Sequence, residues 1–225
     1  MSGAVVVLSR GEVGDGATLF LAAAPADSVR LIERCGVDVA AGRNAAIDHV
    51  AAIAPRWEWL LFFDADQRAE HPEQVIARLL ESSAHVTSAL VCERAWPHPL
   101  NAFTSVDATR GIGERLRFDA LEGNGLIKVA AVGMGACLLR REAVNRVGRF
   151  RVGMGDPWTD RQREDLDYTW RATQVGLSVC VDTGVIVEHE VRGVVRPGVV
   201  ARRPLYHISG CAETFPAWRG DHPGL

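Results

Sequence analysis

The most informative stretch of this sequence is WLLFFDAD, residues 59–66. It begins with an unbroken apolar run, which is typical of a strand in the middle of a sheet that helices cover on both faces. Asp64 and Asp66 end the run. In an extended segment, residues two apart project to the same side, with their Cα atoms about 7 Å apart. We therefore expect both carboxylates to face one crevice at the carboxyl end of the strand, where open α/β sheets bind ligands.

Further strands and helices are predicted on both sides of this run, in alternating order. The predicted strands are 4–8, 59–63, 86–92, 129–140, 177–182 and 185–187. The predicted helices are 40–53, 72–81, 141–147 and 165–175. Residues 18–32 stay open because Pro25 interrupts any single helix, and residues 93–124 are expected to be rich in loops. The alternation favours a three-layer α/β domain.

The composition is that of an ordinary globular protein. The chain has 225 residues, of which 48% are hydrophobic, and this excludes a disordered chain or a collagen-like repeat. We expect one domain, with a core over about residues 1–190 and a loop or lid over residues 191–225. The net charge of −3 argues against a surface that coats nucleic acid, so no nucleic-acid partner is expected.

Membrane and compartment signals favour the cytoplasm. The longest uncharged run near the N-terminus, residues 17–25, is too short for a transmembrane segment and lacks the features of a signal peptide. The five cysteines are scattered, with no C-x-x-C pair, as expected for reduced thiols. We therefore expect a cytoplasmic protein with no transmembrane segment.

The acidic pair Asp64 and Asp66 has two interpretations. Two carboxylates crowded at an apolar strand end repel each other unless a cation or hydrogen-bond donors offset the charge. A divalent metal would satisfy them and would also attract a diphosphate. Alternatively, the aspartates are solvated and cap the following helix.

Two later segments also carry chemically useful side chains. Glu164, Asp165 and Asp167 begin a predicted helix, where acids are favoured by the helix dipole, but one of them could also accept a proton from a hydroxyl group. His189 follows an apolar run and is either structural or a ligand that, with carboxylates, suits an ion such as manganese.

Taken in order, these segments resemble the GT-A glycosyltransferases, especially the family-2-like nucleotide-sugar transferases. The segments that carry the resemblance are 42–46, 60–66, 132–148 and 164–189. The resemblance implies a Rossmann-like three-layer α/β/α sandwich with a central mixed, mostly parallel sheet. It also implies Mn²⁺ or Mg²⁺ as cofactor, a nucleotide-diphosphate sugar as donor, and a hydroxyl acceptor on a glycan, a small molecule or a protein.

The resemblance further assigns roles to individual residues. Asp66 would be a direct metal ligand of this D-x-D motif, His189 would supply a ligand from the far side, and Asp64 would lie near the metal or the ribose. Asp165 would be the catalytic base of an inverting enzyme, and Glu164 would orient the base or the acceptor.

A larger set of residues would contact the nucleotide sugar. Its members are Ser9, Arg10, Arg43, Asp64, Ala65, Asp66, Gly133 and Gly135. Arg43 has an alternative interpretation as a surface arginine that pairs with Asp48 or Glu58. The tail arginines, at positions 192, 196, 202 and 203, would close over a diphosphate or form a solvated basic tail.

The expected function is metal-dependent transfer of a sugar from a nucleotide-diphosphate sugar to a hydroxyl group, with inversion. Three alternatives stay open: a retaining transferase on the same fold, a sugar nucleotidyltransferase, and a binding module that keeps the fold without the chemistry. A dinucleotide-binding domain is disfavoured, because Gly133-Met134-Gly135 does not follow the first strand.

Overall fold

The computed structural model describes most of the chain up to residue 190 and three short strands beyond it. The described residues are 2–93, 98–109, 113–121, 123, 125–152, 163–190, 194–198, 203–207 and 214–216. Their strands are β1 (Gly3–Ser9), β2 (Val29–Arg34), β3 (Trp59–Asp64), β4 (Gln67–Arg68), β5 (Val86–Val91), β6 (Ala102–Phe103), β7 (Leu126–Lys128), β8 (Ala131–Val132), β9 (Ala136–Arg140), β10 (Val179–Glu190), β11 (Val194–Gly198), β12 (Arg203–His207) and β13 (Thr214–Pro216). Their helices are α1 (Asp15–Ala22), α2 (Val39–Ile53), α3 (Pro72–Glu81), α4 (Arg141–Val147) and α5 (Glu164–Gln174), with a 3-10 turn at Phe118–Ala120.

The strands form a mixed sheet that is mostly parallel in its core. Its order is β13-β12-β11-β10-β5-β9-β3-β1-β2, and β4 and β7 also pair with β10. In the centre, β2, β1, β3, β5 and β10 run in one direction, whereas β9 runs antiparallel to both of its neighbours. The predicted fold class is confirmed: the domain has an α/β, Rossmann-like architecture.

Both faces of the sheet are covered by helices, as the apolar run 59–63 predicted. Leu60 and Phe62 pack in a cluster that includes side chains of α2, α4 and α5. Trp59, Leu61 and Phe63 pack in a second cluster, with α1 and α3, on the opposite face. None of these five side chains is more than 1% exposed. The strand is therefore buried up to Phe63, and Asp64 is the first polar residue beyond the core.

The structure differs in detail from three of the sequence predictions. Residues 18–32 contain the end of α1 and the strand β2, with Pro25 between them. The predicted strand 129–140 is broken at Gly133-Met134-Gly135 into β8 and β9. The two predicted runs 177–182 and 185–187 form one strand, β10, with an irregular register between Asp182 and Ile186. As a result β10 extends far enough to reach β4 and β11.

Part of the segment expected to be a loop or lid forms strands instead. β11, β12 and β13 continue the sheet by antiparallel pairing, because the edge of β10 offers backbone donors and acceptors that need partners. Arg196 and Arg203 lie in these strands, and Arg192 and Arg202 lie outside the described residues. Closure of this segment over a diphosphate stays a prediction.

Among the described residues, none of the helices is long and apolar enough to cross a membrane. The four described cysteines, Cys35, Cys92, Cys137 and Cys180, are buried free thiols, and Cys211 lies outside the described residues.

Candidate functional site

The carboxyl ends of the parallel strands meet at one edge of the sheet, and the acidic pair lies at this edge. Asp64 is the last residue of β3, and His189 is the last residue but one of β10. One ligand atom from each of Asp64, Asp66 and His189 lies within 4.8 Å of the other two. The structure thus brings together the three side chains that the resemblance assigned to a metal.

The two aspartates come together through a turn rather than through one extended segment. The amide of Ala65 donates to the carbonyl of Leu8 at 3.1 Å, and its carbonyl accepts from the amide of Gly14 at 3.0 Å. The amide of Glu190 donates to the carbonyl of Asp66 at 2.8 Å. Because these bonds attach the turn to three other segments, the backbone of the D-x-D motif is fixed at the site.

His189 is held in one orientation by its buried surroundings. The side chain is 7% exposed, and its Nδ1 lies 2.5 Å from the carbonyl oxygen of Cys92. A carbonyl can only accept, so Nδ1 carries the proton and Nε2 carries the lone pair. The amide nitrogen of Gln67 lies 3.0 Å from Nε2 and donates to it. A histidine with Nδ1 bonded to a carbonyl has the usual arrangement of a metal ligand that binds through Nε2.

Arg43 connects the acidic pair to the start of α5. Its guanidinium is 3% exposed and lies 3.6 Å from a carboxylate oxygen of Asp64 and 3.4 Å from one of Glu164. The rings of Phe62 and Phe150 lie against the same guanidinium, at 5.1 and 5.8 Å from their centroids. Arg43 is therefore not a surface arginine, and it fixes two carboxylates relative to each other.

Burial, together with neighbouring carboxylates, raises the pKa values of two aspartates of the site. Burial raises the pKa of Asp64 above its usual range, although Arg43 opposes the shift. Burial and the neighbouring Glu164 raise the pKa of Asp165 to about 7, against the opposing effects of Arg43 and of the Leu166 amide, which donates to Asp165 at 2.8 Å. A cation placed among these carboxylates would offset the repulsion that raises these values.

A cavity of about 460 Å³ contains most of the predicted site. It is lined by Leu8, Arg10, Gly11, Glu12, Cys35, Val39, Arg43, Asp64, Ala65, Asp66, Glu164, Asp165 and His189. The predicted catalytic and metal-binding residues all contribute to this one cavity, together with most of the predicted donor contacts. The volume lies in the usual range for small-molecule sites.

Three of the predicted donor contacts, Ser9, Gly133 and Gly135, do not line the cavity. Ser9 is 1% exposed, and its hydroxyl accepts from the amide of Gly11 at 3.1 Å and lies 2.8 Å from the carbonyl of the same residue. Gly133 is buried against Asn101, whose side chain would overlap a Cβ at that position. Ser9 thus shapes the loop after β1, and Gly133 allows close packing beneath the site.

Gly135 borders the cation-binding group, although it does not line the cavity. A Cβ at this position would overlap the amide nitrogen of Gln67 and would lie 3.0 Å from a carboxylate oxygen of Asp64. The absence of a side chain therefore leaves room for these two groups, and the predicted contact of Gly135 with the nucleotide sugar stays a prediction.

Several site residues were not predicted. Glu12, Cys35 and Val39 line the cavity, and Gln67 contacts His189. The position of Gln67 directly after the D-x-D motif is the signal that would have identified it. No comparable pattern marks the other three, because they are brought to the cavity by the parallel pairing of β1 with β2.

The donor atoms fit a divalent cation. Two carboxylates and one imidazole nitrogen are ligands that manganese accepts, and carboxylates are also the protein ligands that Mg²⁺ prefers. The amide oxygen of Gln67, next to this group, is buried and has no hydrogen-bond partner among the described residues.

Comparisons with known proteins show the fold. No protein-family model matches the chain, and no curated protein matches its sequence. The crystal structure of A197 from STIV aligns over 95% of this chain and 97% of its own, with a TM-score of 0.60 and 15% identity. The crystal structure of the glycosyltransferase GalNAc-T7 with UDP, GalNAc and Mn²⁺ aligns over 84% of this chain and 44% of its own, with a TM-score of 0.52 and 10% identity. The chain therefore shares its fold with a known glycosyltransferase.

Proposed function

We propose that this chain is a cation-dependent glycosyltransferase of the GT-A type, which moves a sugar from a nucleotide-diphosphate sugar to a hydroxyl group. The observation that supports this most strongly is the approach of Asp64, Asp66 and His189 to within 4.8 Å of one another, in the same cavity as Asp165. The fold shared with GalNAc-T7 agrees with it. The proposal includes a cytoplasmic location, which the scattered free cysteines support.

The cation would be Mn²⁺ or Mg²⁺, held by Asp64, Asp66 and His189. When bound, it supplies the positive charge that a diphosphate leaving group needs as its bond to the sugar breaks. The buried Arg43 acts on this site through Asp64, since it lies 3.6 Å from that carboxylate and keeps it in place. The chain itself thus supplies the ligands and their orientation.

The donor would lie along the cavity from the loop after β1 to the acidic pair. Arg10, Gly11 and Glu12 form one end of the cavity, with Cys35 and Val39 in its wall. This end suits a nucleoside, because it combines apolar surface with exposed polar groups. The diphosphate would lie at Asp66, and Arg10 is exposed and free to reach either part of the donor.

Asp165 would act as the base that removes the proton from the acceptor hydroxyl. Its pKa of about 7 lies near the value at which a general base is most effective at neutral pH. Glu164 is 5% exposed and accepts from Arg43, so it would position the start of α5 rather than exchange a proton. Direct attack by the activated hydroxyl would invert the configuration of the sugar.

The proposal is tested by incubating the chain with Mn²⁺ and a panel of UDP-, GDP- and dTDP-sugars, and measuring release of nucleoside diphosphate with and without added acceptor glycans. Asp66→Ala should lose cation-dependent donor binding. Asp165→Asn should bind the donor and lose turnover by roughly 10²–10⁴-fold. The exposed Asp27 supplies matched controls, because Asp27→Ala and Asp27→Asn make the same chemical changes away from the cavity.

Several outcomes would contradict parts of this proposal. Unchanged turnover in Asp165→Asn would show that the assigned base is wrong. A product with the donor's anomeric configuration would indicate a retaining enzyme. Release of pyrophosphate from a nucleoside triphosphate and a sugar phosphate would indicate a nucleotidyltransferase, and donor binding without any turnover would indicate a binding module.

A further inference from the structure

Gln67 is a buried polar residue beside the cation site, and the proposed function gives it no role. It is 1% exposed and lies in β4, directly opposite His189 of β10. Its amide nitrogen donates to Nε2 of His189 at 3.0 Å, and its amide oxygen is buried with no hydrogen-bond partner among the described residues. Leaving such an oxygen unsatisfied is costly, so a partner for it in some state of the protein is expected.

The hydrogen bond to His189 and cation binding exclude each other. Because Nδ1 of His189 donates to Cys92, Nε2 has one lone pair, and that pair accepts either the Gln67 amide or a cation. When a cation takes the lone pair, the Gln67 amide nitrogen loses its acceptor. A half-turn about the last side-chain bond would then present the amide oxygen to the cation.

The lack of a side chain at Gly135 leaves space on one side of the Gln67 amide. Gly135 lies next to the amide, and a side chain at that position would overlap it. The same glycine faces Asp64, so the amide and a ligand carboxylate border one small space. An amide oxygen is a hard, neutral ligand of the kind that Mn²⁺ and Mg²⁺ accept.

We propose that Gln67 is an additional residue of the cation site, which donates to His189 in the cation-free protein and turns its amide oxygen toward the cation when it binds. This inference rests on the cation site of the proposed function but not on glycosyl transfer. With Gln67 as a further oxygen ligand, the site would favour divalent ions that accept both oxygen and nitrogen ligands.

The test is calorimetric titration of Mn²⁺ into the parent chain, Gln67→Leu and Gln67→Glu. Loss of the amide in Gln67→Leu should weaken binding by about 10- to 100-fold, as is usual for residues that support metal ligands. Gln67→Glu keeps an oxygen and should bind Mn²⁺ at least as tightly as the parent chain. Gln74→Leu, on the exposed face of α3, is the matched control and should bind like the parent chain.

A second measurement needs no variant. In the parent chain, addition of Mg²⁺ should shift the side-chain amide signals of Gln67 and the Nε2 signal of His189 together in NMR spectra. Undiminished Mn²⁺ affinity in Gln67→Leu, or amide signals that do not move, would overturn the inference. If the parent chain binds no divalent cation, the inference and the proposed cation site both fail. If binding depends on Gln67 but no donor is turned over, only the proposed function fails.

Discussion

Glu164 and Asp165 are neighbours in the chain, but their side chains have different surroundings. Glu164 is buried and accepts from Arg43 at 3.4 Å, so its charge is compensated inside the protein. Asp165 lines the cavity and accepts from the amide of Leu166 at the start of α5. The first carboxylate is therefore suited to fixing geometry, and the second to exchanging a proton.

The raised pKa of Asp165 predicts how the stability of the cation-free protein depends on pH. The pKa is about 7 in the folded chain and about 4 in an unfolded one. Between these values the folded state binds more protons, so this group's contribution to stability is lost as the pH rises from about 4 to about 7. Asp165→Asn removes the effect and should raise the free energy of unfolding at pH 8 by at most about 4 kcal/mol, the full value of a three-unit pKa shift, with little change at pH 4. The measurement is urea unfolding of the cation-free protein at both pH values.

Asp27→Asn is the control for this experiment, because it removes an exposed carboxylate and should leave stability unchanged at both pH values. A loss of stability in Asp165→Asn at pH 8 would mean that the charged form of Asp165 is favoured in the folded protein, which would contradict a raised pKa.

At the residue scale, the sequence predicted the groups that end an apolar run or begin a helix. Asp64, Asp66, Asp165 and His189 all belong to this class, and all four line the cavity. Gln67 follows the D-x-D motif directly, which marks it as a residue near the site, but its contact with His189 joins residues 122 positions apart through the pairing of two strands and is not visible in the sequence.

At the element scale, the orientation of α5 decides where Glu164 and Asp165 lie. Asp167, one turn into the helix, is 3% exposed and accepts from Arg151 at 3.0 Å and from Arg171 at 2.7 Å. Arg171 also donates to the carbonyl of Val147 at 2.8 Å, at the end of α4. The third acid of this segment therefore has a structural role, and the first two face the site.

Asp167→Asn should destabilise the protein, because it leaves the part-buried Arg171 without its carboxylate. We expect the free energy of unfolding to fall by roughly 2–4 kcal/mol, which is large for one substitution. Chemical denaturation measures it. Asp119→Asn is the control: its partner Arg117 is 79% exposed, and such pairs contribute less than about 1 kcal/mol. Equal effects of the two substitutions would contradict the structural role of Asp167.

The elements that the sequence predicted well are those with a clear apolar period. The helix 72–81 matches α3 residue for residue, and β3 and α4 are also in place. The short strand β4 and the pairing of β11 to β13 were missed, because two-residue and edge strands are formed by backbone pairing with β10 and carry no apolar pattern of their own.

At the scale of the whole molecule, the parallel direction of the central strands concentrates the site at one edge. β1, β3 and β10 end there, and each delivers residues to the cavity: Arg10 just after β1, Asp64 at the end of β3 and His189 near the end of β10. The two helical layers bury most side chains of the central strands β1, β3, β5 and β9. The structures of A197 and GalNAc-T7 share the fold at 15% and 10% identity, which shows that the fold needs few particular residues.

The central claim is that Asp64, Asp66 and His189 hold a cation that in turn holds a nucleoside diphosphate. The most direct measurement is the melting temperature of the chain with UDP or GDP, in the presence and absence of Mn²⁺. A ligand at 100 times its dissociation constant adds about 2.7 kcal/mol, which corresponds to a rise of roughly 5–10 °C for a chain of this size. We predict this rise with Mn²⁺ and a matching nucleotide together, and its loss in Asp66→Ala. No rise with either nucleotide and Mn²⁺, or an equal rise in Asp66→Ala, would contradict the claim.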